Sequence, residues 1–303
     1  MKFQWQYQGE GPRRLRSVFR SFGVTNSLLK VAIFHGGQMR IGDRTAWAID
    51  LVQPGETVCL VLPDEPANPI VSVSEAPFEI AYEDEDFLVV NKAAGVATVP
   101  AHGVSVQDSL VNRVKGYYQR QGYPNQVTHV ATRLDKFTSG LVIFPKHRFA
   151  HAVLDRQLKS RQVKKEYVAL VTGALGATHG YIDAPIRRDP DSFVKRMVAP
   201  DGKPSATEYW CKEVTANASA VRIRLHTGRT HQIRVHFAFL GHPLLGDDMY
   251  GTGQGMDRQA LHCRLVSFYS PFKQETITVA ASLPDDFVQG MTWLKMGECK
   301  TGV

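Results

Sequence analysis

A polar stretch of the chain lies directly before the run of residues most typical of a buried strand. Residues 133–140 read Arg-Leu-Asp-Lys-Phe-Thr-Ser-Gly, and residues 141–144 are all branched or aromatic. Such residues favour β-strands, and loops beside rigid strands often carry catalytic side chains. Asp135 lies near two cations, Arg133 and Lys136, which favour an ionised carboxylate. The pattern predicts a catalytic nucleophile or base, or alternatively a surface turn in which Asp135 pairs with Arg133.

The charge balance of the chain indicates a polyanionic partner. Its 303 residues include 36 Lys plus Arg against 29 Asp plus Glu, which gives a formal net charge of +7. Nucleic acid is the leading candidate for such a partner, and a mildly basic enzyme without one is the alternative. A hydrophobic content of 43% is enough for a folded core, and the length suggests roughly two domains.

Several classes of protein are disfavoured by what the sequence lacks. The start of the chain has no apolar signal segment, and no apolar run is long enough to span a membrane, so we expect a cytoplasmic protein. The His residues near the motifs have no carboxylate or thiol at ligand spacing, so no metal site is expected. The cysteines lack C-x-x-C spacing and are expected to be free thiols; they are Cys59, Cys211, Cys263 and Cys299.

The first 62 residues predict a small basic region. Leu15, Val18, Phe19 and Phe22 fall on one helical face. The run Thr25-Asn26-Ser27 then offers N-cap residues for a second helix. Short strands are predicted at residues 38–41 and 58–62. The region resembles the small RNA-binding domain first described in a ribosomal small-subunit protein, and a generic α+β subdomain is the alternative. The resemblance implies RNA contacts by the arginines that surround the first helix, Arg13, Arg14 and Arg16.

The composition also predicts the domain boundaries. No Lys or Arg occurs from Thr45 to Asn91, and residues 63–69 are acidic and rich in proline, as linkers often are. We therefore predict a domain boundary near residue 70. The small basic region spans residues 1–65 and a linker spans 66–78, followed by a larger domain at 79–290 and a tail at 291–303.

The catalytic region is predicted to consist mainly of strands. Helices are predicted at residues 105–118 and 149–158. Thr230 is placed to cap a third helix whose Ile233, Phe237 and Leu240 face the core. Apolar or alternating runs predict strands at residues 87–90, 141–144, 166–171, 181–186, 205–210, 221–225, 261–269 and 276–280.

Three motifs in this region together resemble those of the RluA-type RNA pseudouridine synthases. They are Asn91-Lys92 with Gly95, the stretch at 133–140, and residues 228–236, which read Gly-Arg-Thr-His-Gln-Ile-Arg-Val-His. The third motif continues through Gly241-His242-Pro243 to Gly246-Asp247 and Tyr250. The resemblance covers residues 79–285. It implies an α+β fold in which a mixed, largely antiparallel sheet with a central cleft is flanked by helices, with a small N-terminal α/β RNA-binding domain.

The resemblance also implies an activity and the residues that carry it. The family isomerises uridine within RNA without a cofactor, by breaking the bond from ribose to nitrogen, turning the base and forming a carbon–carbon bond. Asp135 matches its essential aspartate, and both nucleophilic attack and removal of a sugar proton remain open. Arg234 matches the cation beside that aspartate, Tyr167 the tyrosine that stacks on the flipped base, and Arg133 the arginine that fills the gap in the RNA.

Further RNA contacts and the partner follow from the same resemblance. Asn91, Lys92, Arg229 and His231 are assigned to RNA contact. The expected partner is structured RNA, either ribosomal RNA or tRNA, bound by a monomer with no membrane association. Three positions depart from the family pattern, and they bear on RNA preference rather than on the chemistry: Ala93, Thr132 and Phe137.

Two other functions stay open at this point. An RNA-binding protein that has lost catalysis would keep this fold, but the retained Asp135, Tyr167 and Arg234 disfavour it. A glycosidase would also break a glycosidic bond, but it usually needs a second catalytic carboxylate, and none stands beside Asp135 in the sequence.

Overall fold

The computed structural model describes residues 1–100 and 108–296 of the chain. Its helices are α1 Leu15–Ser21, α2 Asn26–Phe34, α3 Leu110–Arg120, α4 Arg148–Lys159, α5 Gln232–Phe239 and α6 Asp285–Met296. Its strands are β1 Lys2–Gln6, β2 Arg13–Arg14, β3 Gln38–Ile41, β4 Arg44–Thr45, β5 Leu51–Val52, β6 Thr57–Val61, β7 Glu79–Glu83, β8 Phe87–Lys92, β9 Ser139–Pro145, β10 Lys164–Thr172, β11 His179–Asp183, β12 Ile186–Arg188, β13 Arg196–Val198, β14 Ala206–Val214, β15 Ala218–Leu225, β16 Leu261–Ser270 and β17 Glu275–Ala280.

A nine-stranded sheet forms the centre of the molecule. Its strands follow the order β11-β14-β15-β10-β16-β9-β8-β7, and β17 pairs with β16. The β9–β16 pairing is parallel, and the other pairings are antiparallel. The predicted mixed, largely antiparallel sheet with flanking helices is therefore confirmed.

The parallel pairing of β9 with β16 determines the position of the strand that follows the 133–138 loop. All seven residues of β9 are buried, as the branched and aromatic run predicts. Gly140 has a φ of +109°, and a Cβ there would lie 2.2 Å from the carbonyl oxygen of Cys263 on β16. Only glycine permits this backbone and this approach, so the Ser-Gly of the motif seats the loop against the sheet.

The basic N-terminal region folds around its own small sheet. Strands β1, β6, β3 and β4 form that sheet in the order given, and α1 buries Leu15, Val18 and Phe19 against it, as the spacing predicts. The hydroxyl of Thr25 accepts a hydrogen bond from the N–H of Leu28 at 3.3 Å and caps α2.

This N-terminal core is continuous with helix α4 of the catalytic region. Phe149 of α4 makes edge contacts with the rings of Phe3 and Trp5, at centroid distances of 5.0 and 6.0 Å. The buried Glu65 adds a polar link, since its carboxylate accepts the backbone N–H of Arg148 at 2.6 Å and lies 2.9 Å from His129 Nε2. The two regions therefore share one packed boundary.

The segment predicted as a linker lies along helix α3. Lys115 Nζ donates to the carbonyl oxygens of Asn68, at 2.8 Å, and Val71. Asn112 Nδ2 donates to the carbonyl oxygen of Ser72 at 2.7 Å. Residues 68–72 are thus held by side chains of α3, because two of its polar residues face the segment rather than solvent.

Three element boundaries differ from the prediction. Helix α3 begins at Leu110, because Ser109 and Asn112 form a capping box, and most of the predicted first turn lies outside the described residues. Helix α5 begins after His231 rather than Thr230, because His231 adopts a left-handed conformation with φ +56°. Helix α6 continues to Met296, so residues 291–296 are helical rather than a tail.

No helix in the described part of the chain is both long enough and apolar enough to cross a membrane.

Candidate active site

An open cleft of about 940 Å³ lies where β10 and β15 meet three loops, at residues 97–100, 130–138 and 226–232. The three loops come from distant parts of the sequence, and the sheet brings them together. Most charged side chains that line the cleft are cationic: Arg133, Lys136, Arg161, Lys164, Lys165, Arg224, Arg229 and Arg234. Among the described residues that line it, Asp135 is the single carboxylate. The cationic side chains therefore suit the cleft to a polyanionic ligand, and Asp135 supplies one acidic group within it.

The loop that carries Asp135 is fixed by hydrogen bonds to its backbone. The hydroxyl of Thr98 donates to the carbonyl oxygen of Leu134 at 2.8 Å and accepts the N–H of that residue at 3.1 Å. Arg258 Nη1 donates to the carbonyl oxygen of Phe137 at 3.1 Å. These contacts place the backbone on both sides of Asp135, so its position is set before any ligand binds.

Lys92 holds the same loop from beneath. Its ammonium donates to the carbonyl oxygens of Ala93, Val96 and Lys136 at 2.9, 2.8 and 3.0 Å. Burial, followed by the charge of Arg258, lowers the pKa of Lys92 to about 7. The prediction that Lys92 contacts RNA is therefore wrong. The side chain is buried, and its amino group donates to carbonyl groups of the protein itself.

Asp135 faces two cationic or titratable side chains. Its Oδ2 lies 3.5 Å from Nη1 of Arg234 and 3.8 Å from Nε2 of His231. The Asp135 side chain is 28% exposed, whereas that of Arg234 is 5% exposed. The carboxylate is therefore open to a ligand in the cleft, and its main cation is fixed in the protein.

Arg234 is oriented by a fully buried carboxylate that the sequence analysis did not assign. Arg234 Nε and Nη2 donate to the two oxygens of Asp247 at 2.7 and 2.8 Å, in a bidentate pair. Asp247 also accepts the backbone N–H groups of Met249 and Tyr250, both at 3.1 Å. Burial opposes the charge of Arg234, but the hydrogen bond and charge of Asp247 outweigh it, and the pKa of Arg234 is raised.

His231 and Tyr250 form a second pair beside Asp135. Nδ1 of His231 and the hydroxyl of Tyr250 are 2.8 Å apart, and their rings meet edge to face. The guanidinium of Arg234 also lies over the ring of Tyr250, 5.0 Å from its centroid. Burial lowers the pKa of His231, so its neutral form is favoured at neutral pH.

Tyr167 forms part of the floor of the cleft. It lies on β10 opposite Cys263 of β16, and burial followed by the Cys263 thiol raises the pKa of Tyr167 well above its ordinary value. Its neighbour Lys165 also lines the cleft, and burial lowers the pKa of that ammonium. The Tyr167 hydroxyl therefore stays protonated at neutral pH.

The structure separates the other predicted RNA contacts into two groups. Arg133 and Arg229 are exposed and line the cleft with His231. Asn91 does not line it, because it donates to Glu79 at 2.9 Å beside a separate pocket. The arginines of the N-terminal region lie outside the cleft lining, with Arg13 and Arg14 exposed on β2 and Arg16 half-buried on α1.

Three residues of the site were missed as functional candidates: Asp247, Tyr250 and Arg258. Asp247 and Tyr250 lie inside the third motif but were given no role, so the Gly-Asp-x-x-Tyr spacing was the available signal. Arg258 carries no local pattern that indicates its contacts. Across the described residues, no three His, Cys, Asp or Glu side chains are placed to hold a metal ion.

Comparison with known proteins now gives the family. The sequence model of the RNA pseudouridylate synthase family matches residues 86–239, about half of the chain. The uncharacterized RNA pseudouridine synthase YjbO of Bacillus subtilis (strain 168) is 38% identical over 265 residues, which cover 87% of this chain and 93% of that protein. The chain belongs to the RluA-type RNA pseudouridine synthases.

A further relative and a solved structure support the same family assignment. The ribosomal large subunit pseudouridine synthase D of Yersinia pestis is 35% identical over 237 residues, covering 73% of this chain and 72% of that one. The structure of human RNA pseudouridylate synthase domain containing 1 superposes with a TM-score of 0.57 at 28% identity, over 70% of this chain and 85% of that one. The predicted family and enzyme class, an isomerase acting on uridine in RNA, are confirmed.

Proposed function

We propose that this RNA pseudouridine synthase isomerises specific uridines of structured RNA, either ribosomal RNA or tRNA, and that Asp135 is its essential residue. The proposal is supported mainly by the composition of the cleft. Among the described residues that line it, Asp135 is the single carboxylate, and most of the other charged side chains are cationic. The Asp135 carboxylate lies 3.5 Å from the guanidinium of Arg234. A two-carboxylate glycosidase does not fit this arrangement.

Three residues of the cleft have roles in the proposed reaction: Asp135, Arg234 and Tyr167. The ionised Asp135 attacks the sugar carbon or removes a sugar proton, and both routes need the charge that Arg234 stabilises. As the bond from ribose to nitrogen breaks, the base turns above the ring of Tyr167, which is buried and rigid on β10. A carbon–carbon bond then joins base and sugar, while the bond from Asp135 to the sugar breaks or the sugar proton returns from Asp135. The base carbon loses its proton and the nitrogen freed from the ribose gains one, so the product is an isomer of the substrate.

The target base has to leave the RNA stack to reach Asp135. Unstacking costs about a few kcal/mol, which a protein side chain in the vacated place can offset. Arg133 is exposed in the cleft, two residues from Asp135, and its planar guanidinium can stack between bases. We assign Arg133 to this role.

A direct assay tests the function and the substrate class together. Purified protein is incubated with unmodified transcripts of ribosomal RNA and of tRNA, and pseudouridine is measured by chemical labelling and primer extension. We expect pseudouridine at a small number of uridines in one of the two RNA classes. Absence of product on both classes would contradict the proposed substrate, and product at uridines throughout both would contradict its specificity.

The N-terminal region is proposed to raise RNA affinity by neutralising phosphates. Replacing Arg13, Arg14 and Arg16 together with alanine should weaken RNA binding. It should also reduce the slope of log K against log salt by about one for each phosphate that is no longer neutralised. The measurement is RNA affinity by fluorescence anisotropy at several salt concentrations. The matched control replaces the same three residues with lysine, which keeps the charge and should keep the slope. An unchanged slope in the alanine variant would exclude this role for the three arginines.

A further inference from the structure

Tyr250 contacts both side chains that face the carboxylate of Asp135. Its hydroxyl lies 2.8 Å from Nδ1 of His231, and its ring packs under the guanidinium of Arg234. Its backbone N–H donates to the Asp247 carboxylate, which is the bidentate partner of Arg234. One tyrosine thus links the two side chains that determine the surroundings of Asp135, although it does not line the cleft itself.

We propose that Tyr250 is a positioning residue for isomerisation, which holds His231 in the tautomer and orientation that direct its Nε2–H at Asp135. This inference rests on the proposed role of Asp135. The Tyr250 hydroxyl accepts the backbone N–H of Arg196 at 2.8 Å, so its own proton is free to be donated to Nδ1 of His231. A neutral imidazole that accepts at Nδ1 carries its proton on Nε2. That nitrogen is the one 3.8 Å from Oδ2 of Asp135.

The protonation states agree with this direction of the hydrogen bond. Burial raises the pKa of the Tyr250 hydroxyl, so it keeps its proton at neutral pH. Burial also lowers the pKa of His231, against the opposing effect of Asp135. The neutral ring carries a single N–H proton, on either Nδ1 or Nε2. In these protonation states the hydroxyl has a proton to donate and the imidazole has an unprotonated nitrogen to accept it.

The backbone of His231 gives a second, independent observation. His231 is one of the few non-glycine residues with positive φ among those the structure describes, at +56°. Such a conformation is unfavourable for a residue with a side chain, and it persists where surrounding contacts enforce it, often at functional sites. Here it ends the loop before α5 and turns the imidazole towards Asp135 and Tyr250. The Tyr250 hydroxyl is hydrogen-bonded to the imidazole of this residue.

The hydroxyl also connects this site to a cationic hairpin. Arg196 belongs to β13, which pairs with β12 in a hairpin that carries Arg187, Arg188 and Lys195. The Arg196 N–H donates to the Tyr250 hydroxyl, so the loop end of the hairpin and the imidazole contact the same oxygen atom. The hairpin therefore contacts the same tyrosine as the imidazole beside Asp135.

Replacing Tyr250 with phenylalanine tests the proposal, because it removes the hydroxyl and keeps the ring under Arg234. We expect the single-turnover rate on substrate RNA to fall about 10- to 100-fold, as a small misplacement of a catalytic group does. RNA affinity should change less than about twofold, since the hydroxyl lies outside the cleft lining. The matched control is Tyr269→Phe, an exposed tyrosine on β16, which should keep the wild-type rate and affinity.

A second measurement reads the tautomer directly in the free protein. Nitrogen-15 NMR of labelled histidines should show His231 with its proton on Nε2 in the wild type, and a mixture of both tautomers in Tyr250→Phe. In addition, Tyr250→Phe and His231→Ala should be strongly non-additive in rate, because they act through the same group.

Three outcomes would overturn the inference: a wild-type rate in Tyr250→Phe, additive losses in the double variant, or an unchanged tautomer. These are distinguishable from failure of the proposed function. If Asp135→Asn kept its turnover, the role of Asp135 would fail, whereas the tautomer is measured without any reaction.

Discussion

Asp135→Asn is expected to reduce pseudouridine formation by about 1,000-fold or more while leaving RNA affinity within about twofold of the wild type. Asparagine has nearly the same size as aspartate, but it has no negative charge and is neither a base nor an effective nucleophile. Either proposed route, attack on the sugar or removal of a sugar proton, uses the charge that the substitution removes. Binding depends mainly on the many cationic side chains of the cleft, which the substitution leaves in place.

The measurement combines single-turnover formation of pseudouridine with fluorescence anisotropy of the same RNA. The matched control is Asp155→Asn, which removes a charge from an exposed pair with Lys159 on α4. Exposed pairs of this kind contribute about 1 kcal/mol or less, so this variant should keep its rate and affinity. A rate for Asp135→Asn within about tenfold of the wild type would show that another group carries the reaction.

Asp247→Asn should lower both stability and turnover, although residue 247 does not line the cleft. Its carboxylate is fully buried and accepts four hydrogen bonds, two of them from Arg234. An amide in its place puts an NH₂ group against one of the guanidinium N–H groups, and Arg234 is left buried with its charge partly unpaired. Breaking one partner of a buried pair costs about 3–5 kcal/mol.

The effect on turnover follows from the loss of orientation. Arg234 reaches Asp135 with Nη1 while Nε and Nη2 are held by Asp247. Without that bidentate hold we expect a rate loss of about 100-fold in the folded fraction. Urea unfolding gives the stability and single-turnover assays give the rate, with Asp155→Asn again as control. Wild-type stability together with a wild-type rate would show that Asp247 does not orient Arg234.

The parts of the fold and of the site that are local in sequence were predictable. The strand after the 133–140 stretch is branched and aromatic, and it forms the fully buried β9. The spacing of Leu15, Val18 and Phe19 likewise predicted α1 and its buried face. In both cases a short pattern of residue types determines the element, and tertiary contacts reinforce it.

The parts that depend on contacts between distant segments were not predictable. Lys92 resembles a surface cation in the sequence, but it is buried because three carbonyl groups converge on it, one of them 44 residues away. Arg258 contacts Phe137 across 121 residues, and nothing near either residue indicates this. The acidic, proline-rich composition around residue 66 suggested a free linker, yet side chains of α3 hold residues 68–72.

The most direct test of Asp135-dependent uridine isomerisation is pseudouridine mapping of total RNA from cells with and without the gene. The deletion strain is complemented with the wild type and with Asp135→Asn at matched expression. We predict that one or more uridines in ribosomal RNA or tRNA lose their pseudouridine signal in the deletion strain, regain it with the wild type, and stay unmodified with Asp135→Asn. Recovery of the signal with Asp135→Asn, or a map in which no site disappears, would contradict the proposed function.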